Sequence, residues 1–204
     1  MSGNPNIWLH PVTLVGTRVR LEPLDYKHAL DLLKVAGHDQ VWAYLDEPTP
    51  RSLNDIEALI QQARTEFDNG QRLPFAIIET ASNRAVGSTS YIDIRPRGLG
   101  VEIGWTWLGP SAWGRKINTE AKYLLLRHAF ECLSAIRVAI KTDDRNIRSE
   151  GAIRALGAVQ EGLGRNYWVL RDGYKRNTIY FSIIDDDWPR VKSHLEERLI
   201  CVGN

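Results

Sequence analysis

Val101-Glu102-Ile103-Gly104-Trp105-Thr106-Trp107-Leu108, then residues 109–116, then Ile117-Asn118-Thr119-Glu120-Ala121, decide how this chain folds. The first eight alternate, so a strand with Val101, Ile103, Trp105 and Trp107 on one side and Glu102, Gly104, Thr106 and Leu108 on the other is expected. Residues 109–115 read as a loop. A helix is expected over 117–133, with Ala121, Leu124, Leu125, Ala129 and Cys132 as its apolar stripe. A strand that runs through a short basic loop into a helix brings unpaired N–H groups and the positive end of the helix dipole together, a setting for an anion. The same spacing is equally that of an ordinary connection whose Arg115 and Lys116 are solvated.

On the N-terminal side, 12–24 reads as extended, with Val19 to Glu22 alternating, and Asp25 is placed to cap a helix running to about 35. An aromatic loop over 41–50 separates it from a second helix, which starts at Ser52 or Asn54, runs to about Phe67 and stops at Asn69-Gly70. Strands are expected at 74–79 and 85–94. On the C-terminal side come a strand at 136–141, a helix at 146–156 closed by Gly157, strands at 158–161, 166–171 and 177–184, and an amphipathic helix at 188–199. This order predicts an α/β (α+β) fold: a mixed, mostly antiparallel central sheet of about seven strands with helices on both faces.

The chain has 204 residues, 43% hydrophobic and 25% charged, with a net charge of +1. That suits one soluble domain over 1–204, with its core at about 12–185, and gives no global field for nucleic acid or an anionic membrane. Two cysteines, Cys132 and Cys201, make no disulfide framework, and the five histidines form no pair at metal spacing. No apolar run reaches membrane-spanning length and Met1 to His10 has no signal pattern, so a cytoplasmic protein is expected. His128, near the apolar stripe of its helix, reads as a partly buried structural residue.

From Leu14-Val15-Gly16-Thr17-Arg18-Val19-Arg20-Leu21-Glu22-Pro23 onward, the sequence resembles the GCN5-related N-acetyltransferases (GNAT), in particular the RimJ/RimL-like branch. Ala85-Val86-Gly87-Ser88, Val101 to Trp105, Trp113-Gly114-Arg115, Asn118 to Ala121, Asp144 to Ser149, Ala155 to Ala158 and Glu161-Gly162 continue the likeness in family order, over about 12–185. The resemblance implies acetyl-CoA as acyl donor and no metal. It implies that Gly114, Arg115, Lys116, Ile117, Asn118 and Thr119 form the pyrophosphate loop, with the amides from Arg115 to Thr119 as its cradle. Trp105, Thr106 and Trp107 would offer backbone partners to the pantetheine arm, in a gap between their strand and 136–141, and one of their N–H groups would polarise the thioester carbonyl. Two positions depart from the family's loop. Lys116 stands where a glycine is usual, and Asn118 stands at a small-residue position, where its side chain could cap the helix.

Acetyl transfer to an amine needs a proton acceptor, since most amines are protonated at neutral pH. Glu102 is the candidate base by resemblance; on the residues alone it reads equally as an ion-paired surface glutamate. Asn146 resembles the family asparagine that meets the cofactor arm, and locally is a helix cap. The tyrosine that many relatives use as acid is not apparent, which makes Ser149 the candidate donor to the thiolate. Arg145 is a candidate for the nucleotide phosphate, whereas Arg148 reads as solvated. Trp42, Tyr44 and Tyr91 are candidate acceptor-site walls, or core aromatics. The expected activity is direct transfer to a primary amine of a small molecule or a protein N-terminus. A non-catalytic acyl-CoA-binding protein of the same fold is the alternative. The helix at 188–199 suits either a homodimer interface or packing on its own domain.

Overall fold

The computed structural model describes residues 5–200; Met1 to Asn4 and the second cysteine, Cys201, lie outside them. Eight strands form one sheet: β1 (Leu14–Val15), β2 (Val19–Pro23), β3 (Arg72–Glu79), β4 (Arg84–Arg95), β5 (Gly100–Leu108), β6 (Arg137–Asp143), β7 (Val159–Val169) and β8 (Lys175–Ile184). Their spatial order is β1-β2-β3-β4-β5-β6-β8-β7, and only β5 and β6 run parallel. The expected extended segment over 12–24 is two strands, because the chain turns at Gly16-Thr17-Arg18 around the carboxylate of Glu120. That carboxylate accepts from the amides of Thr17 (3.2 Å), Arg18 (2.6 Å) and Val19 (2.7 Å). A Cβ on Gly16 would meet the same carboxylate at 2.9 Å. The three short strands expected after 157 are two long ones, β7 running unbroken in the chain through register shifts at Gln160/Gly162 and Gly164/Trp168.

Helices cover both faces. On one lie α1 (Ala29–Ala36), α2 (Asp39–Trp42) and α3 (Leu53–Asp68), which bury Leu32, Trp42, Ile56 and Ile60 against Ala76, Ile78 and Ala85 of the sheet. Each large apolar side chain so buried contributes roughly 1.5–3 kcal/mol. Ser52 caps α3: its hydroxyl accepts from the Asp55 amide at 3.2 Å, and the Asp55 carboxylate accepts from the Ser52 amide at 2.9 Å. On the other face lie α4 (Ile117–Arg127), α5 (Ile147–Arg154) and α6 (Trp188–Ile200). The long helix expected to reach 133 changes to a π turn over His128–Cys132. That extra residue rotates the stripe, leaving Cys132 exposed and Leu133 buried. Trp188, Val191, Leu195 and Leu199 of α6 are buried in the domain's own core, so its apolar face is spent internally.

Candidate functional site

β5 and β6 pair only from Gly100↔Arg137 to Ile103↔Ile140. Beyond that, β6 stays bonded to β8 as far as Asp143↔Thr178, and β5 stays bonded to β4 as far as Leu108↔Gly87. The two strands therefore part, and the facing backbone edge of residues 104–108 has no ladder partner on β6. A bulge sits at the parting. Ser88 pairs with Trp107 and Ser90 with Gly104, so β5 carries one residue more than β4, and Trp105 has φ +49°. The bulge corrects the expected alternation. Val101, Ile103 and Leu108 pack with the α4 side, while Trp107 packs on the opposite face, its ring 5.0 Å from that of Trp42.

The helix that opens beside this gap is α4. Its N-cap is Lys116, at φ +60°, with no side-chain cap, so Asn118 does not cap it as expected. The first backbone bond runs from the Glu120 N–H to the Lys116 carbonyl at 2.9 Å, and the preceding turn of amides has no intrahelical acceptor. Gly114, at φ +72°, faces open space. Arg115 is engaged: a guanidinium nitrogen lies 2.7 Å from Glu79 Oε1. Asn118 Oδ1 is buried without a hydrogen-bond partner. Asn146 caps α5, accepting from the Ser149 amide at 3.0 Å. Arg145 is held by Asp143 at 2.7 Å, which raises its pKa, and stacks 3.5 Å from the Tyr174 ring centroid and 5.6 Å from that of Tyr44. Arg148, expected in solvent, lies 3.5 Å over the ring of Trp113. Trp113 in turn donates to the Leu108 carbonyl at 2.9 Å.

The candidate base, Glu102, is buried, and its carboxylate lies 2.7 Å from Lys141 Nζ. Burial disfavours the Lys141 ammonium, but the hydrogen bond and charge of Glu102 outweigh it, and the lysine's pKa ends above its ordinary value. The Tyr167 and Tyr180 ring centroids lie 5.6 and 5.4 Å from the same ammonium. Lys141 thus occupies the Glu102 carboxylate as a hydrogen-bonding partner.

Of the three acceptor-wall candidates, Trp42 lines a cleft and Tyr44 stands near Arg145, while Tyr91 belongs elsewhere. Tyr91 is fully buried on the α4 side, donates to the Leu125 carbonyl and stacks on His128, because its strand alternates away from Trp42. The cleft lies between α1, α3 and the bulge, with Trp42, Glu47, Arg72, Trp105 and Trp107 in its lining. Arg72 is buried; it donates to Ser90 Oγ (2.8 Å) and Glu66 Oε2 (3.0 Å), and its guanidinium lies 4.9 Å over the Trp105 ring. The loop beyond Trp42 is tied down across the site. Asp46 accepts from Trp168 Nε1 at 2.8 Å and from the Arg171 amide at 2.9 Å.

Glu47, Arg72, Lys122 and Lys141 carry no motif that a reading of the sequence would single out. Lys122 had one legible sign, a lysine on the inward side of an otherwise apolar helix. Its amine is fully buried, reaches Thr106 Oγ1, and burial lowers its pKa to about 7. Among the described residues no group of three or more metal-ligating side chains forms, and no helix is long and apolar enough to cross a membrane.

Residues 18–159 match the acetyltransferase (GNAT) domain family. A Bacillus subtilis (strain 168) protein, YdaF, whose name proposes a ribosomal N-acetyltransferase, is 24% identical over 174 residues, covering 84% of this chain and 92% of its own. The crystal structure of a GCN5-related N-acetyltransferase from Brucella melitensis superposes with a TM-score of 0.87 at 29% identity, covering 92% of this chain and 85% of its own. Mycobacterium smegmatis RimJ in complex with CoA-disulfide shares the fold, with a TM-score of 0.78 at 22% identity over 93% of this chain and 96% of its own.

Proposed function

Since this chain belongs to the GNAT acetyltransferase family, we propose that it binds acetyl-CoA in the gap between β5 and β6 and passes the acetyl group directly to a primary amine. The observation that carries this reading is the loss of β5–β6 pairing beyond Ile103 and Ile140, next to the uncapped mouth of α4. A pantetheine arm is itself an amide chain, so a backbone edge without a ladder partner is a ready complement to it. The amides from Arg115 to Thr119 and the α4 dipole receive the pyrophosphate. Arg115 adds its charge by turning from Glu79. The orphaned Asn118 Oδ1 is an acceptor left for a donor on the ligand. A binding site for coenzyme A in this fold is supported by RimJ, which carries CoA-disulfide.

At the thioester, one of the backbone N–H groups of residues 104–108, which have no ladder partner on β6, stabilises the carbonyl oxygen as negative charge develops. The acceptor enters through the cleft on the opposite side, walled by Trp42, Trp105 and Trp107. Ser149, one turn into α5, supplies a hydroxyl toward the departing thiolate. Of the two acceptor classes, the names of relatives such as YdaF support a protein N-terminus over a free small amine. A panel of N-terminal peptides and small amines, followed by thiol release from acetyl-CoA, tests this. Binding of acetyl-CoA with no release across the panel supports the non-catalytic alternative.

A further inference from the structure

On the reading above, we propose that Glu47 takes the proton from the incoming ammonium and so generates the amine that attacks the thioester. Glu47 lines the cleft whose inner wall is the β5 bulge, together with Trp105, Trp107 and Trp42. Glu102, by contrast, is absent from that lining, and Lys141 holds its carboxylate at 2.7 Å. The acceptor and Glu47 thus share one space, and the expected base stands outside it.

The charges around Glu47 suit the task. Asp46 adjoins it on its own loop, Glu66 reaches in from α3, and Arg72 from β3 faces both, pairing with Glu66 at 3.0 Å. Of these groups only Arg72 shares the cleft lining with Glu47, and Arg72 is already paired with Glu66, so Glu47 is the carboxylate there that can meet an incoming cation, while burial among aromatic and aliphatic walls disfavours leaving that cation charged. Burial raises the Glu47 pKa, the Asp46 and Glu66 charges raise it further, and a hydrogen bond from Gln62 and the Arg72 charge oppose them. A carboxylate whose pKa is raised is a better proton acceptor than an ordinary one.

The protons balance. The ammonium gives its first proton to Glu47, which releases it to solvent. The nitrogen then forms a bond to the acetyl carbon, the C–S bond breaks, and a second proton from the nitrogen ends on the coenzyme A thiol.

Glu47→Gln and Glu47→Asp test this, with the tripeptide amide Ser-Ala-Ala-NH2 and benzylamine as acceptors. Thiol release is followed between about pH 6 and 9, and acetyl-CoA affinity is measured by calorimetry. The expected result is a loss of about 100-fold or more in kcat for Glu47→Gln, narrowing as pH approaches the pKa of the amine, so that the acid limb of the profile moves up to follow the titration of the amine itself. Glu47→Asp keeps that limb and recovers part of the rate, and both variants bind acetyl-CoA as the parent does. A Glu47→Gln rate within about threefold of the parent, with an unchanged profile, overturns the proposal. So does a parent that binds acetyl-CoA yet acetylates neither probe. A parent that fails to bind acetyl-CoA overturns the acetyltransferase reading itself, and this assignment with it.

Discussion

Glu102 Oε2 lies 2.7 Å from Lys141 Nζ across the last paired rungs of β5 and β6, at the point where the two strands part. The pair ties the two strands together by their side chains at that point. The Lys141 side chain is 24% exposed and that of Glu102 7%, so solvent screens the contact only from one side. Removing either partner leaves the other charge poorly solvated. Glu102→Gln and Lys141→Met should each destabilise the fold by roughly 1–3 kcal/mol, and the double variant by less than their sum. Chemical denaturation of the four proteins reads this coupling; strict additivity would mean that the pair is immaterial.

The buried Lys122 amine fixes a pH dependence of stability. Its folded pKa is about 7, against an ordinary value of 10.5. Between those values the unfolded chain holds a proton that the folded chain lacks, so stability rises with pH, by up to about 1.4 kcal/mol per unit. Below about 7 both states are protonated and the full penalty applies. The pKa values of His28 and His128, lowered by burial, put their titration under this window. Denaturation midpoints should climb from pH 7 to 9 in the parent, whereas Lys122→Met should be flat there and more stable at pH 7 by at least about 1 kcal/mol.

The Glu120 carboxylate gathers three backbone amides of the β1–β2 turn, so Glu120→Ala strands three buried or part-buried donors at once. A loss of roughly 3 kcal/mol is expected, with faster amide exchange at Thr17, Arg18 and Val19. A loss below about 1 kcal/mol would show that water replaces the carboxylate.

Lys116 adopts φ +60°, a conformation that costs a side-chain-bearing residue about 1–2 kcal/mol and glycine little. Lys116→Gly should therefore raise stability by up to about 1 kcal/mol, after its greater unfolded-state entropy is offset. Thermal denaturation checks the sign.

Much of the fold was legible in the sequence, since the periodicities of 53–68 and 175–184 match their elements and Ser52 and Gly70 bound α3 as their chemistry demands. The site was legible in outline only. Val101 to Leu108 alternates without a break, and nothing in those eight residues announces that Trp105 takes φ +49° and turns Trp107 to the other face; the bulge is imposed by pairing with β4. The π turn that exposes Cys132 is hidden in the same way, within an apolar stripe that continues smoothly on paper. Pairings such as Arg115 with Glu79, or Asp46 with Trp168, join residues 36 and 122 positions apart, and local pattern carries no trace of them. Tyr91 illustrates the converse error, an aromatic near the expected site that strand alternation turns into the core.

Amide hydrogen exchange with and without acetyl-CoA tests the central claim most directly, because it reports where the ligand sits as well as whether it binds. The account predicts slowed exchange concentrated in residues 104–108 of β5 and 115–119 at the mouth of α4. Saturating acetyl-CoA that leaves both segments exchanging as before would contradict it.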